Sequence, residues 1–196
     1  GGGLARIACL LVLLALAPLA HADTREAALL HPLIQDHAVL QRDRPVRLQG
    51  EAPAGTVVHL TLADRRAQAR ADADGHWQAE LPALPAGGPH TLTVRAGETT
   101  RTVRDLLVGD VWLCAGQSNM ELQVWRSLDA RAEIAGADAP ELRLLTVPQV
   151  SSPVPLARFT EPVTWQPVTP ESVRDFSAAC YYFARELRKT VDVPMG

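Results

Sequence analysis

The stretch "GDVWLCAGQSNMELQV", Gly109 to Val124, carries the strongest signal in this sequence. Its first half, "VWLCA", is a continuous apolar run, which is typical of a strand buried on both faces of a parallel sheet. A helix-compatible stretch follows from Met120 to about Ile134. Ser118 therefore lies in the turn between a predicted strand and a predicted helix, and two interpretations compete: a helix cap or a nucleophile.

The first interpretation of Ser118 needs no catalytic function. Ser118 and Glu121 have the spacing of a capping box, in which the serine oxygen accepts a backbone N–H three residues on and the glutamate returns the bond. In the second interpretation the hydroxyl stands at the carboxyl edge of the sheet, where open α/β sheets bind ligands. Gly116 would permit the tight turn, and N–H groups of the first helical turn would face a developing oxyanion. The Gly-x-Ser-x-Gly pattern of α/β-hydrolases is absent because residue 120 is Met.

Residues 28–106 have the pattern of an all-β domain. Val46–Gln49 predicts one strand, and "TVVHLTLA" predicts another, with Val58, Leu60 and Leu62 on one face. Two further strands flank the turn Asp72–Gly75, where Gly75 is a candidate for positive φ. Strands recur about every ten residues with no helical period between them, which favours a β-sandwich.

Residues 107–196 have the pattern of an α/β domain. After the "VWLCA" strand, "ELRLLTV" (Glu141–Val147) predicts a second strand, the Pro-rich residues 148–170 a surface loop, and "VDVPMG" the start of a third strand. The stretch "DFSAACYYFARELRKT" predicts an amphipathic helix, whose apolar face consists of Phe176, Ala179, Cys180, Phe183 and Leu187. Three strands are too few for a doubly wound sheet. The predicted fold is therefore multidomain, a β-sandwich followed by a truncated α/β domain.

The N-terminal residues 1–22 have the layout of a secretory signal peptide. Arg6 precedes an apolar run, and Pro18 and the pattern Ala20-His21-Ala22 follow it, so we expect cleavage after Ala22 and a secreted or periplasmic protein. The apolar run is short for a membrane span, which needs about 20 residues, although a single membrane anchor is the alternative. Cleavage would leave Cys114 and Cys180, which either form a disulfide or are two small buried side chains.

The composition excludes some classes of partner. The 196 residues carry a formal net charge of −3 and no basic stripe, so we expect no nucleic-acid binding, and no membrane contact after signal cleavage. No Cys/His spacing of a zinc site occurs. Asp72 and Asp74 indicate turn chemistry rather than a calcium loop, which needs further acidic ligands. We expect no metal and no cofactor.

The Ser118 block resembles the first motif of the sialate O-acetylesterases, a branch of the SGNH-type hydrolases. The resemblance extends to "LIQDHAVLQRDRPVRLQGEAPAG", "DADGHWQAELPALPAGGPHTLTV" and "DFSAACYYFARELRKTVDVPMG", in the order and spacing of that family. It implies that residues 107–196 are the N-terminal part of an SGNH-type α/β/α hydrolase domain. It also implies that Ser118 is the nucleophile and that its N–H contributes to the oxyanion hole, with Gly116, Gln117 and Asn119 in positioning roles. The implied substrate is an O-acetylated sugar, particularly O-acetylated sialic acid.

The general base that such a serine needs is not found after Ser118. All six histidines precede it, namely His21, His31, His37, His59, His76 and His90. The resemblance implies a catalytic His with an acidic partner, and further oxyanion-hole residues, beyond Gly196. We therefore expect this chain to be an inactive fragment of an esterase.

Two other functions remain open at this point. The all-β residues 28–106 form a complete folding unit, so a non-catalytic carbohydrate-binding module is one alternative. An acetyl-xylan esterase shares the serine motif and is another. Trp125, shortly after Ser118, is either a core residue or part of a sugar pocket.

Overall fold

The computed structural model of the protein describes residues 24–26 and 28–196, so the predicted signal peptide lies outside the described residues. Up to residue 109, the described strands form a five-stranded sheet of order β1-β7-β6-β3-β4 and a two-stranded sheet of β2 and β5. The β1–β7 pair is parallel, and the other pairs in these two sheets are antiparallel. The strands are β1 (Val39–Gln41), β2 (Val46–Glu51), β3 (Val57–Leu62), β4 (Arg65–Arg70), β5 (His76–Leu81), β6 (Gly87–Ala96) and β7 (Thr99–Gly109).

Both sheets bury one face in a single hydrophobic cluster. The predicted inward face of β3 is confirmed, because Val58, Leu60 and Leu62 are buried while His59 and Thr61 between them are exposed. On the two-stranded sheet, Leu48 and Trp77 belong to the same cluster. The alternation of apolar and polar residues therefore sets which side of each strand faces the core.

The turn at Asp72–Gly75 joins strands that lie in different sheets, since β4 pairs with β3 and β5 pairs with β2. Gly75 has φ 84°, as the sequence predicted. The Asp72 carboxylate accepts hydrogen bonds from the backbone N–H groups of Asp74 and His76, both at 2.9 Å, and the bond from His76 is the main cause that lowers the pKa of Asp72. Turn chemistry thus accounts for these acidic residues, and the described residues contain no cluster suited to a metal ion.

The chain after Gly109 contains short helices and a second pair of strands. They are the 3₁₀ helices Ser118–Glu121 and Val124–Arg126, then α1 (Ala130–Ala135), β8 (Ala139–Leu144), β9 (Gln166–Val168), α2 (Pro170–Arg174) and α3 (Ala178–Arg188). β8 and β9 pair antiparallel. The second strand and the loop character of most of residues 148–165 are confirmed, whereas β9 was not predicted. None of the helices in the described part of the chain is both long and apolar enough to cross a membrane.

The prediction of one helix from Met120 to Ile134 is wrong. Leu122 is extended, and its carbonyl accepts the N–H of Ala178 at 2.8 Å. Val124 donates to the Phe176 carbonyl at 3.0 Å, and Asp129 takes a left-handed backbone conformation with φ 54°. Tertiary hydrogen bonds with the start of α3 therefore replace the helical bonds that this stretch would otherwise form.

The prediction that "VWLCA" is a buried strand is also wrong. Asp110 forms an isolated parallel bridge with Met195, which also bridges Leu142, so three chain segments run side by side at this point. The contact continues only to Trp112, whose N–H donates to the Gly196 carbonyl at 2.8 Å. Leu113 is 89% exposed. A strand is buried on both faces only where packing covers it, and the described residues cover this stretch incompletely.

The last predicted helix is confirmed as α3, but its buried face differs from the predicted one. Cys180 is buried as expected, together with Ala178 and Tyr181. Ala179 and Phe183 are exposed instead, although the Phe183 ring makes an edge-to-face contact with Trp112, in the loop before Ser118. Periodicity alone located the helix, whereas packing decided its buried face, because Ala178 and Tyr181 belong to the same hydrophobic cluster as Leu142 and Val168.

Arg143 on β8 connects this second half to β7. Its side chain is 4% exposed, and its guanidinium donates to the carbonyls of His37 and Asp105 and to the Asp105 carboxylate. Nδ1 of His37 lies 2.6 Å from Oδ2 of Asp105. Both His37 and Asp105 have positive φ, 70° and 55°, so the Arg143 bonds hold two strained backbone positions.

The Asp105 carboxylate is the acidic partner of this buried arginine. Burial opposes its charged form, but hydrogen bonds from Arg143 and His37 outweigh that cost and hold the pKa of Asp105 below its ordinary value. A lowered pKa in the folded state means that the contribution of Asp105 to stability is present at neutral pH. That contribution is lost as the pH falls through the lowered pKa.

We predict that Asp105→Asn lowers the free energy of unfolding at pH 7 by about 1–3 kcal/mol, because the Arg143 charge loses its partner. Asparagine tolerates positive φ, so the backbone is not the cause. The difference from the wild type should shrink as the pH falls below about 4, and it should be smallest below the lowered pKa of Asp105, where the wild-type carboxylate is protonated. Urea unfolding at several pH values measures both effects.

The matched control is Asp43→Asn, since Asp43 also has positive φ, 57°, but an exposed carboxylate. We expect a change within about 0.5 kcal/mol at every pH. Equal losses in the two variants would contradict the role assigned to Asp105.

Candidate active site

Ser118 is the first residue of a four-residue 3₁₀ helix and is exposed. Among the described residues, neither its hydroxyl nor its backbone N–H has a hydrogen-bond partner. The capping box is not formed: the helix cap is Gln117, without a side-chain bond, and the Glu121 carboxylate pairs with the Gln149 amide instead. The interpretation of Ser118 as a helix cap is therefore wrong.

The neighbours of Ser118 in the motif are exposed polar groups. The Gln117 and Asn119 side chains make no hydrogen bond within the part of the chain that the structure describes, so both are free to contact a ligand. Gly116 does not have positive φ, and a Cβ there would only touch the Met120 side chain at 3.5 Å. The prediction that Gly116 permits a tight turn is therefore not supported by the backbone.

The loop that carries Ser118 is anchored to α3. Cys114 and Cys180 form a disulfide with their Cα atoms 6.2 Å apart, which resolves the question the sequence left open. The rings of Trp112 and Phe183 meet edge to face, with centroids 5.1 Å apart. These contacts precede Ser118 in the chain.

Met120 anchors the other side of the serine. Its Sδ lies 3.3 Å from Cys180 Sγ and 3.8 Å from Ser177 Oγ, so the 3₁₀ helix rests on the first turn of α3. Ser177 caps that helix by accepting the N–H of Cys180. The roles of Met120 and Ser177 were not predicted from the sequence, although a serine three residues before Cys180 is an ordinary N-cap signal.

The described residues bring no general base to Ser118. The five described histidines, at positions 31, 37, 59, 76 and 90, have no hydrogen bond to it, and His37 is held by Asp105. The site therefore offers an exposed hydroxyl beside free N–H groups, which suits attack on a carbonyl and stabilisation of an oxyanion. Removal of the serine proton requires a group outside these contacts.

Trp125, the candidate for a sugar pocket, is not a core residue. It is 47% exposed, and the guanidinium carbons of Arg126 and Arg174 lie 5.8 and 5.9 Å from its ring centroid. Cation–π contacts of this kind stabilise an aromatic ring at a wet surface. A role in sugar binding stays a prediction.

The sequence and structure are similar to those of several esterases. Human sialate O-acetylesterase is 31% identical over 131 residues, covering 61% of this chain and 25% of the human protein. The mouse sialate O-acetylesterase is 28% identical over 181 residues, covering 83% of this chain and 34% of the relative. No protein-family model matches the chain.

A solved esterase structure is also similar to this chain. A carbohydrate acetylesterase from Xanthomonas citri is 41% identical, with a TM-score of 0.83 over 85% of this chain and 38% of that one. The mixed sheet with a few helices therefore matches a carbohydrate esterase. The chain spans about a quarter to a third of the curated relatives' length.

We predict that Cys114→Ser with Cys180→Ser lowers the free energy of unfolding by up to about 4 kcal/mol. The physical reason is that the bond closes a loop over a sequence separation of 66 residues. Hydrogen exchange of residues 111–121 should also become faster, because the covalent link to α3 is lost. Urea unfolding and exchange mass spectrometry measure these effects.

The control is the wild type in a reductant, which should behave like the double variant, whereas the double variant should not respond to the reductant. Two free thiols in the unreduced wild type, or unchanged exchange in residues 111–121, would contradict the prediction.

Proposed function

Because the chain belongs to the sialate O-acetylesterase family, we propose that it supplies the nucleophile, Ser118, of a carbohydrate O-acetylesterase. The observation that carries this proposal is the state of Ser118, an exposed serine whose hydroxyl and N–H are both unengaged among the described residues. Other exposed serines such as Ser151 also lack a side-chain hydrogen bond, so the free hydroxyl supports a nucleophile in combination with the Gly-Gln-Ser-Asn motif in which Ser118 lies.

The proposed reaction has two steps. Ser118 Oγ attacks the acetyl carbonyl of the sugar ester, the sugar hydroxyl leaves, and water then hydrolyses the acetyl-enzyme to acetate. The Ser118 N–H contributes to stabilisation of the oxyanion, and Gln117 and Asn119 orient the ester. The proton acceptor is a His with an acidic partner that this chain does not place at Ser118, so we expect this chain to be inactive alone.

The anchoring of the loop supports this role. A nucleophile has to be held near its productive position, and a misplacement of about 1 Å can cost about 10²-fold in rate. The loop is restricted by the disulfide between Cys114 and Cys180 and by the contact of the Met120 side chain with α3. Ser118 itself remains exposed to solvent.

We further propose a domain organisation, a location and a substrate. We interpret residues 28–106 as a β-sandwich domain and residues 107–196 as the N-terminal part of an SGNH-type domain, in a protein that is secreted or periplasmic after cleavage at Ala22. O-acetylated sialic acid is the first candidate substrate. Acetylated xylan is the second, and it is compatible with the 41% identity to a protein described as a carbohydrate acetylesterase, a name that specifies no sugar.

We predict that acetate release from O-acetylated sialic acid requires the protein extended along its natural reading frame, and that Ser118→Ala in that form lowers the rate by about 10⁶-fold. Acetylated xylo-oligosaccharides, assayed in parallel, decide between the two substrates. The physical reason is that loss of the nucleophile removes the covalent step, leaving only binding and oxyanion stabilisation.

The matched control is Ser151→Ala, because Ser151 is also exposed and makes no side-chain hydrogen bond in the described structure. It should retain wild-type activity. An extended Ser118→Ala variant that keeps its activity would rule out the assigned nucleophile. Turnover by the 196-residue chain alone would instead show that one of the upstream histidines acts as the base.

A further inference from the structure

A groove of about 720 Å³ lies on the β-domain, over the two-stranded sheet of β2 and β5. This volume falls in the range of ordinary ligand pockets, about 300–1,000 Å³. None of its lining residues belongs to the Ser118 loop or to α3. The role proposed for Ser118 therefore leaves this groove unexplained.

Four polar residues of the groove lie on the solvent-facing side of the sheet. The pairing register places Gln49 opposite Gln78 and Glu51 opposite His76. Directly opposite residues of an antiparallel pair project on the same side, so these four side chains form a compact polar patch. The Gln49 and Gln78 amides make no hydrogen bond to a described residue, and each can both donate and accept.

The walls of the groove are fixed by other contacts. The backbone N–H of His31 donates to the Gln49 carbonyl at 2.8 Å, and the Trp77 indole donates to the Leu29 carbonyl at 2.9 Å. Arg158, from the Pro-rich segment, forms an ion pair with Glu51. A groove whose walls are already tied to the sheet needs little ordering when a ligand binds.

The charges of the lining indicate what kind of ligand fits. Arg70 and Arg158 are balanced by Glu51 and Asp72, so the groove has no formal charge when its histidines are neutral. Arg70 is also occupied by the Gly55 carbonyl at 2.6 Å. A site without net charge does not favour an anion, whereas paired amides, carboxylates and imidazole suit the hydroxyl groups of a neutral sugar.

We propose that this groove is a second carbohydrate site, which binds neutral saccharide units through Gln49 and Gln78. It is independent of the chemistry at Ser118. In an esterase that acts on glycans, such a site would hold the sugar chain and raise the local concentration of its acetylated units.

The test is titration of the purified protein with three neutral probes, xylotetraose, cellotetraose and lactose, and with sialyllactose as an anionic comparator. Isothermal titration calorimetry measures affinity. We expect at least one neutral probe to bind, and the double variant Gln49→Ala with Gln78→Ala to weaken it about tenfold through the lost hydrogen bonds. Both residues are exposed, so the variant should unfold at the wild-type temperature.

The matched control is His59→Ala with Gln68→Ala. These two residues are also an exposed cross-strand pair, on β3 and β4, but they do not line the groove. They should leave binding unchanged, as should Ser118→Ala, which separates this test from the esterase assay.

Three results would overturn the proposal. The first is no binding of any neutral probe at about 10 mM, beyond the weakest affinities relevant for a site of this size. The second is an equal loss in the groove variant and the His59/Gln68 control. The third is tighter binding of sialyllactose than of every neutral probe, which would indicate an anion site.

Discussion

The guanidinium of Arg143 joins the two halves of this structure. It comes from β8, yet three of its hydrogen bonds and an ion-pair contact end on His37 and Asp105, beside the five-stranded sheet. A buried arginine is stable only when its donors are satisfied, so its partners must stay where they are. Its position fixes β8 against β7, and thereby the place at which the chain enters the Ser118 loop.

That entry point is also where three chain segments run parallel. Met195 bridges Asp110 on one side and Leu142 on the other, and Gly109 lies so close to the Pro194 carbonyl that a Cβ would overlap it. Glycine is therefore required at residue 109 by packing, not by its backbone angles. The loop leaves this junction and meets α3, where the disulfide holds it. Strand contact and covalent bond together place Ser118 while its own polar groups stay free.

The Ser118 loop and the groove on β2 and β5 show two ways of presenting polar groups. In the loop, the side chains of Gln117, Ser118 and Asn119 are exposed, and the backbone that carries them is held in place by links to α3. In the groove, Gln49 and Gln78 stand on a paired sheet, whose register fixes their spacing. In both places the anchoring is done by groups other than these polar side chains, namely a disulfide and the Met120 side chain at the loop and backbone pairing in the groove, so the polar groups are left available for a ligand.

The sequence by itself determined the features that depend on local pattern. The alternation in Val57–Leu62 set the buried face of β3, the Asp72–Gly75 turn followed from its own side-chain hydrogen bonds, and "GQSNM" marked the serine. The tertiary structure alone decided that "VWLCA" is largely exposed and that Cys114 bonds Cys180. It also decided that Arg143 donates hydrogen bonds to Asp105 and His37, which lie 38 and 106 positions away in the chain. Periodicity encodes which face of an element is apolar, but not which distant segment arrives to cover it, because that choice is made by packing of the whole chain.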